Sequence, residues 1–332
     1  NIYGDTVTNA DLATTANATA ASLATFQTHL AAKMNAVTGV VFCLLFFGPI
    51  SSAIGHSPVG GGFRAFQFPD HLQPIVDGNL DDWELVDEAY QVSGLDFRDL
   101  VDEKEMDTDD FSIRLMVGWN RVENKLFFGA RVTDDIHQID RPSETAGYRI
   151  FQDDAMEIFL DADHSGGQYA DFGELGPEEQ LRKNGTEASH FVIAGPPPDG
   201  DFFVHFSAAS WYALTDGPFS QAAFHLDETA DGTAVMTYEL MLVPFDRIDI
   251  NAVFLSDEHH MREGEILGFN IEFNDFDLRS ELYDAKWSLS GGHNAFRFSE
   301  RFTDLMLMPF EGIFETAVGG TSWGRIKASF PH

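Results

Sequence analysis

The chain has 332 residues, with 54 Asp and Glu against 20 Lys and Arg for a formal charge of −34, and 44% hydrophobic residues including 31 Phe. That length holds one large or two small domains, and the apolar content is ample for a packed core. The acidic excess repels nucleic acid, anionic lipid and anionic polysaccharide, so neutral partners are expected. A single cysteine, Cys43, leaves no disulfide framework, no cysteine-based zinc site and no covalent haem attachment.

Residues 1–33 are polar and rich in Ala and Thr and are read as an N-terminal extension. Residues 34–53 form an apolar stretch ending in Ser51, Ser52 and Ala53, small residues of the kind a signal peptidase requires. This segment is expected to be a signal peptide cleaved after Ala53, or a membrane anchor if it stays attached. The protein is accordingly expected to be secreted, extracellular or at the cell surface, meeting a membrane only through an uncleaved leader.

From Phe63 onward the pattern is that of short strands. Leu267, Phe269, Ile271 and Phe273 share one face of a strand, while Gly268, Asn270, Glu272 and Asn274 share the other. Met236, Tyr238, Leu240 and Leu242 alternate in the same way after the turn signal Asp231-Gly232. Helix signals are confined to Glu178–Lys183, with Asp96–Glu105 read as a charged loop or short helix. Many short strands with so few helices predict an all-β fold, a two-sheet antiparallel sandwich of the jelly-roll kind over residues 63–310, with 311–332 as a C-terminal tail.

Five phrases carry a resemblance: PIVDGNLDDW from Pro74, SIRLMVGWN from Ser112, KLFFGARVTDD from Lys125, DDAMEIFLDADHSGG from Asp153 and ILGFNIEFNDFD from Ile266. Together they resemble the family 9 carbohydrate-binding modules, a DOMON-related β-sandwich family that grips sugars without cutting them. The resemblance implies the same sandwich and a neutral polysaccharide or oligosaccharide as partner, held between two aromatic rings. It places Phe151 and Phe296 where the family carries its rings, Glu272 where it has a glutamine, and Trp287 and Asn294 around the downstream loop. The family's sugar-contacting arginine falls near Val192 and is missing here. A sugar offers an apolar C–H face and an equator of hydroxyls, so flat rings with amides or carboxylates at their rim suit it.

Asp161, Asp163 and Ser165 open a run similar to the start of a calcium loop, with Gly166 at the turn. Phe172 stands where an EF-hand has its bidentate glutamate. The resemblance implies structural calcium, and the pairs Asp134-Asp135 and Asp275-Asp277 are further oxygen suppliers. No H-E-x-x-H or P-loop motif is present, and carboxylate abundance alone does not mark a glycosidase, so no enzymatic activity is expected. Two alternatives stand beside the sugar-binding reading. One is a b-type haem electron-transfer domain using Met and His, with Met156, Met236 and Met241 as apolar candidates; the other is a surface or fibre subunit.

Overall fold

The computed structural model describes residues 62–142, 147, 149–197, 202–228, 233–277 and 282–311. The polar extension 1–33, the apolar leader 34–53, the Asp231-Gly232 turn and all of the tail but Glu311 lie outside the described residues. Among the described residues there are fifteen strands: β1 (Phe63–Gln67), β2 (Gln91–Ser93), β3 (Arg98–Asp99), β4 (Phe111–Asn120), β5 (Lys125–Asp134), β6 (Ala155–Asp161), β7 (Ser189–Ile193), β8 (Phe203–His205), β9 (Ser220–Glu228), β10 (Ala234–Leu242), β11 (Phe245–Arg247), β12 (Asp257–Glu258), β13 (Ile266–Asp275), β14 (Ala285–Ser288) and β15 (Thr303–Leu307). The one α-helix among the described residues is α1 (Pro177–Lys183), with Pro177 in its first turn, Glu178 and Glu179 at its N-terminus and Arg182 and Lys183 at its end, as the helix dipole favours.

Thirteen of these strands form two layers, and β11 and β12 pair with each other as a separate ribbon. In the first, the order is β8-β7-β6-β13-β15-β1, with β14 pairing the far half of β13 and β3 beside it. In the second it is β1-β4-β5-β10-β9, with β2 on β4. Strand β1 belongs to both: Phe63–Ala65 pair with β15 and Phe66-Gln67 with β4, so the two layers meet through one strand. An all-antiparallel arrangement was expected; β1 instead runs parallel to both of its neighbours, while the remaining pairings are antiparallel.

Alternation builds the core. Leu115, Val117 and Trp119 of β4, Phe128 and Ala130 of β5, and Tyr238 and Leu240 of β10 join Ile158 and Leu160 of β6 and Phe269 and Ile271 of β13 in one apolar cluster between the layers. Met156 and Met236 belong to it too, and Met241 packs in a second cluster with Phe68, Trp83 and Phe127, so all three methionines serve packing.

That second cluster shows why the opening phrase is built as it is. Trp83 lies flat over Gly129, so close that an added Cβ there would sit 2.7 Å from the indole. The indole Nε1 donates to Glu239 at 2.9 Å, and the backbone N–H groups of Asp77 and Gly78 donate to the other carboxylate oxygen at 2.9 and 2.8 Å. Gly78 takes φ +87°, a conformation L side chains rarely adopt. One buried carboxylate thereby pins the whole Val76–Trp83 loop to the outside of the second layer.

Candidate functional site

The outer face of the first layer is polar, as alternation predicts, but it is covered rather than open. Register sets Glu272 of β13 directly opposite Glu157 of β6 on one side and Ser288 of β14 on the other. Asn270 and Asn274 flank Glu272 on the same face, and His190 comes from β7. Glu157 and Glu272 are each only 2% exposed.

Lys286 of β14 bridges the two carboxylates. Its ammonium lies 2.5 Å from Glu157 and 2.9 Å from Glu272, and its side chain is 18% exposed. Glu157 also accepts from Asn274 Nδ2 at 2.8 Å and meets His190 Nε2 at 2.6 Å. Asn270 Nδ2 donates to Glu272 at 2.9 Å, and Asn270 Oδ1 accepts from the Ser290 N–H at 2.8 Å. Burial works to raise the Glu157 pKa, but Lys286 and His190 outweigh it and hold the carboxyl well below its usual range. Burial likewise opposes the charge on Lys286, while the two glutamates lift its pKa well above the ordinary lysine value.

Rings lie over and beside this cluster. Phe151, half-buried, packs edge-on against Phe206 at 6.2 Å; Phe206 lies 4.8 Å from the His190 ring, which stacks on Phe159 at 4.2 Å. Tyr283 donates its hydroxyl to the Phe151 carbonyl at 3.3 Å, and its ring lies 5.3 Å from the Lys286 ammonium. Asn274 Nδ2 also reaches the Phe151 carbonyl, at 3.0 Å. The structure therefore ties Phe151 to the Glu157–Glu272–Lys286 cluster.

Phe296 is 49% exposed, in a loop whose next-door Ala295 packs with Phe159, Tyr169 and Phe302. Asn294 is exposed with φ +65° and accepts from the Arg297 and Phe298 N–H groups through its carbonyl. Trp287 is 1% exposed and faces the opposite way, into the core, with its indole donating to Asp275 at 3.2 Å; it offers no ring face to a ligand on the outer surface. Its parity on β14 is the reason, because Lys286 and Ser288 hold the outward positions. Glu157, Lys286, His190 and Asn274 are the members of the cluster that sequence reasoning passed over. Alternation in Ala155–Asp161 already sets Glu157 on the face opposite Met156, Ile158 and Leu160, so the signal for that residue was present.

The Asp161 loop is satisfied by its own backbone. Asp161 accepts from the Ser165 and Gly166 N–H groups at 3.2 and 2.8 Å, and Asp163 accepts from Ser165 at 3.1 Å. Burial, with Asp163 alongside, pushes the Asp161 carboxyl up to about 6. A different set of carboxylates converges elsewhere: Asp134, Asp275 and Asp277, and, sharing Asp277, Asp110 and Asp135, each trio with ligand atoms within 4.8 Å of one another. Asp134 Oδ2, Asp275 Oδ1 and Asp277 Oδ1 are buried without a hydrogen-bond partner. Burial and mutual repulsion raise Asp134 to about 9 and Asp275 and Asp277 to about 7.

The described residues form an all-β domain of two packed layers. Residues 76–173 match the family model described as carbohydrate family 9 binding domain-like. The chain is also similar to a solved carbohydrate binding module family 9 from Caldicellulosiruptor kristjanssonii in complex with cellotriose, at 16% identity over 78% of this chain and 99% of that one, with a TM-score of 0.45. A carbohydrate binding module family 9 from Caldicellulosiruptor kristjanssonii in complex with glucose is matched at 15% identity over 75% of this chain and 97% of that one, with a TM-score of 0.43. A putative carbohydrate-binding protein from Bacteroides uniformis ATCC 8492 is matched at 11% identity over 74% and 98%, with a TM-score of 0.35. No curated protein is matched by the sequence.

Proposed function

We propose that this domain binds a neutral saccharide, without cleaving it, at the mouth of the covered face where Phe151, Tyr283 and Lys286 come together. The observation that carries the reading is the juxtaposition of half-buried rings with a hydrogen-bonded cluster of carboxylates, amide and ammonium drawn from adjacent strands. Lys286 is the member with partial exposure, and it donates to hydroxyls, while Phe151 supplies the apolar surface for a sugar's C–H face. Phe296, exposed on the neighbouring loop, is the second ring of this proposal, with Asn294 beside it. The family match over residues 76–173 supports it. A glycosidase needs a carboxyl that holds a proton at working pH, and Glu157, kept ionised by Lys286 and His190, is poorly suited to that part.

Export to the cell exterior belongs to the same proposal, supported by the apolar stretch 34–53. Structural calcium is proposed at Asp110, Asp134, Asp135, Asp275 and Asp277 in preference to the Asp161 loop. Hard oxygen ligands in surplus suit calcium, and the buried unpartnered oxygens of Asp134, Asp275 and Asp277 are what a cation would satisfy. There it would tie the ends of β5 and β13 together.

The test is a glycan array of neutral oligosaccharides followed by calorimetry with wild type and Phe151→Ala. Binding that falls at least tenfold in the variant is expected. Absence of any neutral ligand in the presence of calcium, or equal affinity in the variant, overturns the assignment.

A further inference from the structure

The outer face of the second layer carries a separate feature. Strand register places Ser93 of β2, Arg114 of β4, Arg131 of β5, Thr237 of β10 and His225 of β9 in one row across five strands. Arg114 and Arg131 are thus directly opposed, both exposed, and neither makes a hydrogen bond or ion pair with another described residue. Like charges directly opposite each other on a sheet are destabilising. Beside them lies a pocket of about 550 Å³ lined by Arg114, Arg131, His225 and Thr237, with the half-buried Leu80, which packs over the buried Trp83 and Met116, as its accessible apolar wall. That volume falls within the about 300–1,000 Å³ of small-molecule sites.

Three of the acids near this row pair with neighbours other than the arginines. Asp77 accepts from the Asn79 N–H, Asp81 from the Asn79 side-chain amide, and Asp227 meets His225 at 3.1 Å. Two adjacent guanidiniums with spare donors form a seat for an oxyanion, which two forks can grip at once. The carboxylates of Asp77, Asp81, Glu84 and Asp227 around the same pocket would repel an extended polyanion. They are suited instead to accept from hydroxyl groups.

We infer that this pocket, on the layer opposite the proposed neutral-sugar face, binds a hydroxyl-rich, sugar-sized ligand bearing a single oxyanion, a carboxylate or a sulfate ester, with Arg114 and Arg131 gripping the charge. The half-buried Leu80 meets the apolar side of the ligand, and the rim carboxylates take its hydroxyls.

Calorimetry on the full chain with sodium glucuronate, glucose 6-sulfate, glucose and inorganic sulfate tests it, with wild type and the Arg114→Gln/Arg131→Gln variant. Glucuronate or glucose 6-sulfate is expected to bind at least tenfold more tightly than glucose and than inorganic sulfate, and the better of the two identifies the charged group. The double variant loses at least tenfold for that ligand. Its ligand-free melting temperature is expected to be no lower than that of wild type, because two opposed like charges have been removed. Equal binding of glucose, equal binding of inorganic sulfate, no binding of either acid, undiminished binding in the variant, or a variant that melts below wild type would each overturn the inference.

Discussion

Replacing Lys286 by Met removes the cation from between two buried carboxylates and leaves its aliphatic volume nearly unchanged. In the wild type the ammonium lies 2.5 and 2.9 Å from Glu157 and Glu272, each 2% exposed. Breaking a buried ion pair by deleting one partner costs about 3–5 kcal/mol, because the surviving charges stay desolvated. For a domain of this size that corresponds to a fall in melting temperature of about 6–20 °C. The pH dependence carries the sign. Glu157 has its pKa depressed in the folded state, so it contributes stability that is present above the ordinary carboxylate pKa and is lost as pH falls. In Lys286→Met burial dominates and raises the carboxyls, and their protonation relieves the defect, so the deficit against wild type shrinks as pH falls from neutral through the raised values towards the ordinary carboxylate pKa of about 4.3. Urea unfolding at pH 7 and pH 4 measures both effects, and the triple variant Glu157→Gln/Glu272→Gln/Lys286→Met is expected to recover most of the loss. A cost below about 1 kcal/mol, the size of an exposed pair, or a deficit unchanged between the two pH values would refute the buried-triad argument.

Three further outcomes are expected. Trp83→Phe deprives the Glu239 carboxylate of its indole donor and costs about 1–3 kcal/mol in chemical denaturation, with loss of protection in amide exchange at Asp77 and Gly78. Gly129→Ala drives a methyl against the Trp83 ring and costs about 1–3 kcal/mol, whereas Gly173→Ala, with open space around its Cβ, is expected to change stability by less than about 0.5 kcal/mol. Calcium is expected to raise the melting temperature of wild type relative to protein in chelator, and Asp134→Asn/Asp275→Asn to abolish that gain while Asp163→Asn preserves it; a gain that depends on Asp163 would move the site to the Asp161 loop.

Amino-acid order alone determined the all-β strand content, the faces that β10 and β13 turn to the core and the position of α1, because these depend on local alternation and on end signals within a few residues. It also marked Glu272 as lying opposite the apolar face of β13. Strand pairing decided what that glutamate meets: register at β6 and β14 brings Glu157 and Lys286 to it from 115 positions upstream and 14 downstream, a partnership no local pattern encodes. The same holds for the parallel strand β1 shared by both layers, for Trp287, whose parity on β14 turns it into the core, and for the opposed Arg114 and Arg131. Side-chain parity is written along one strand, but which carboxylates share a cation, which are left unpaired and which face is covered depend on contacts between distant segments, and only the folded chain fixes those.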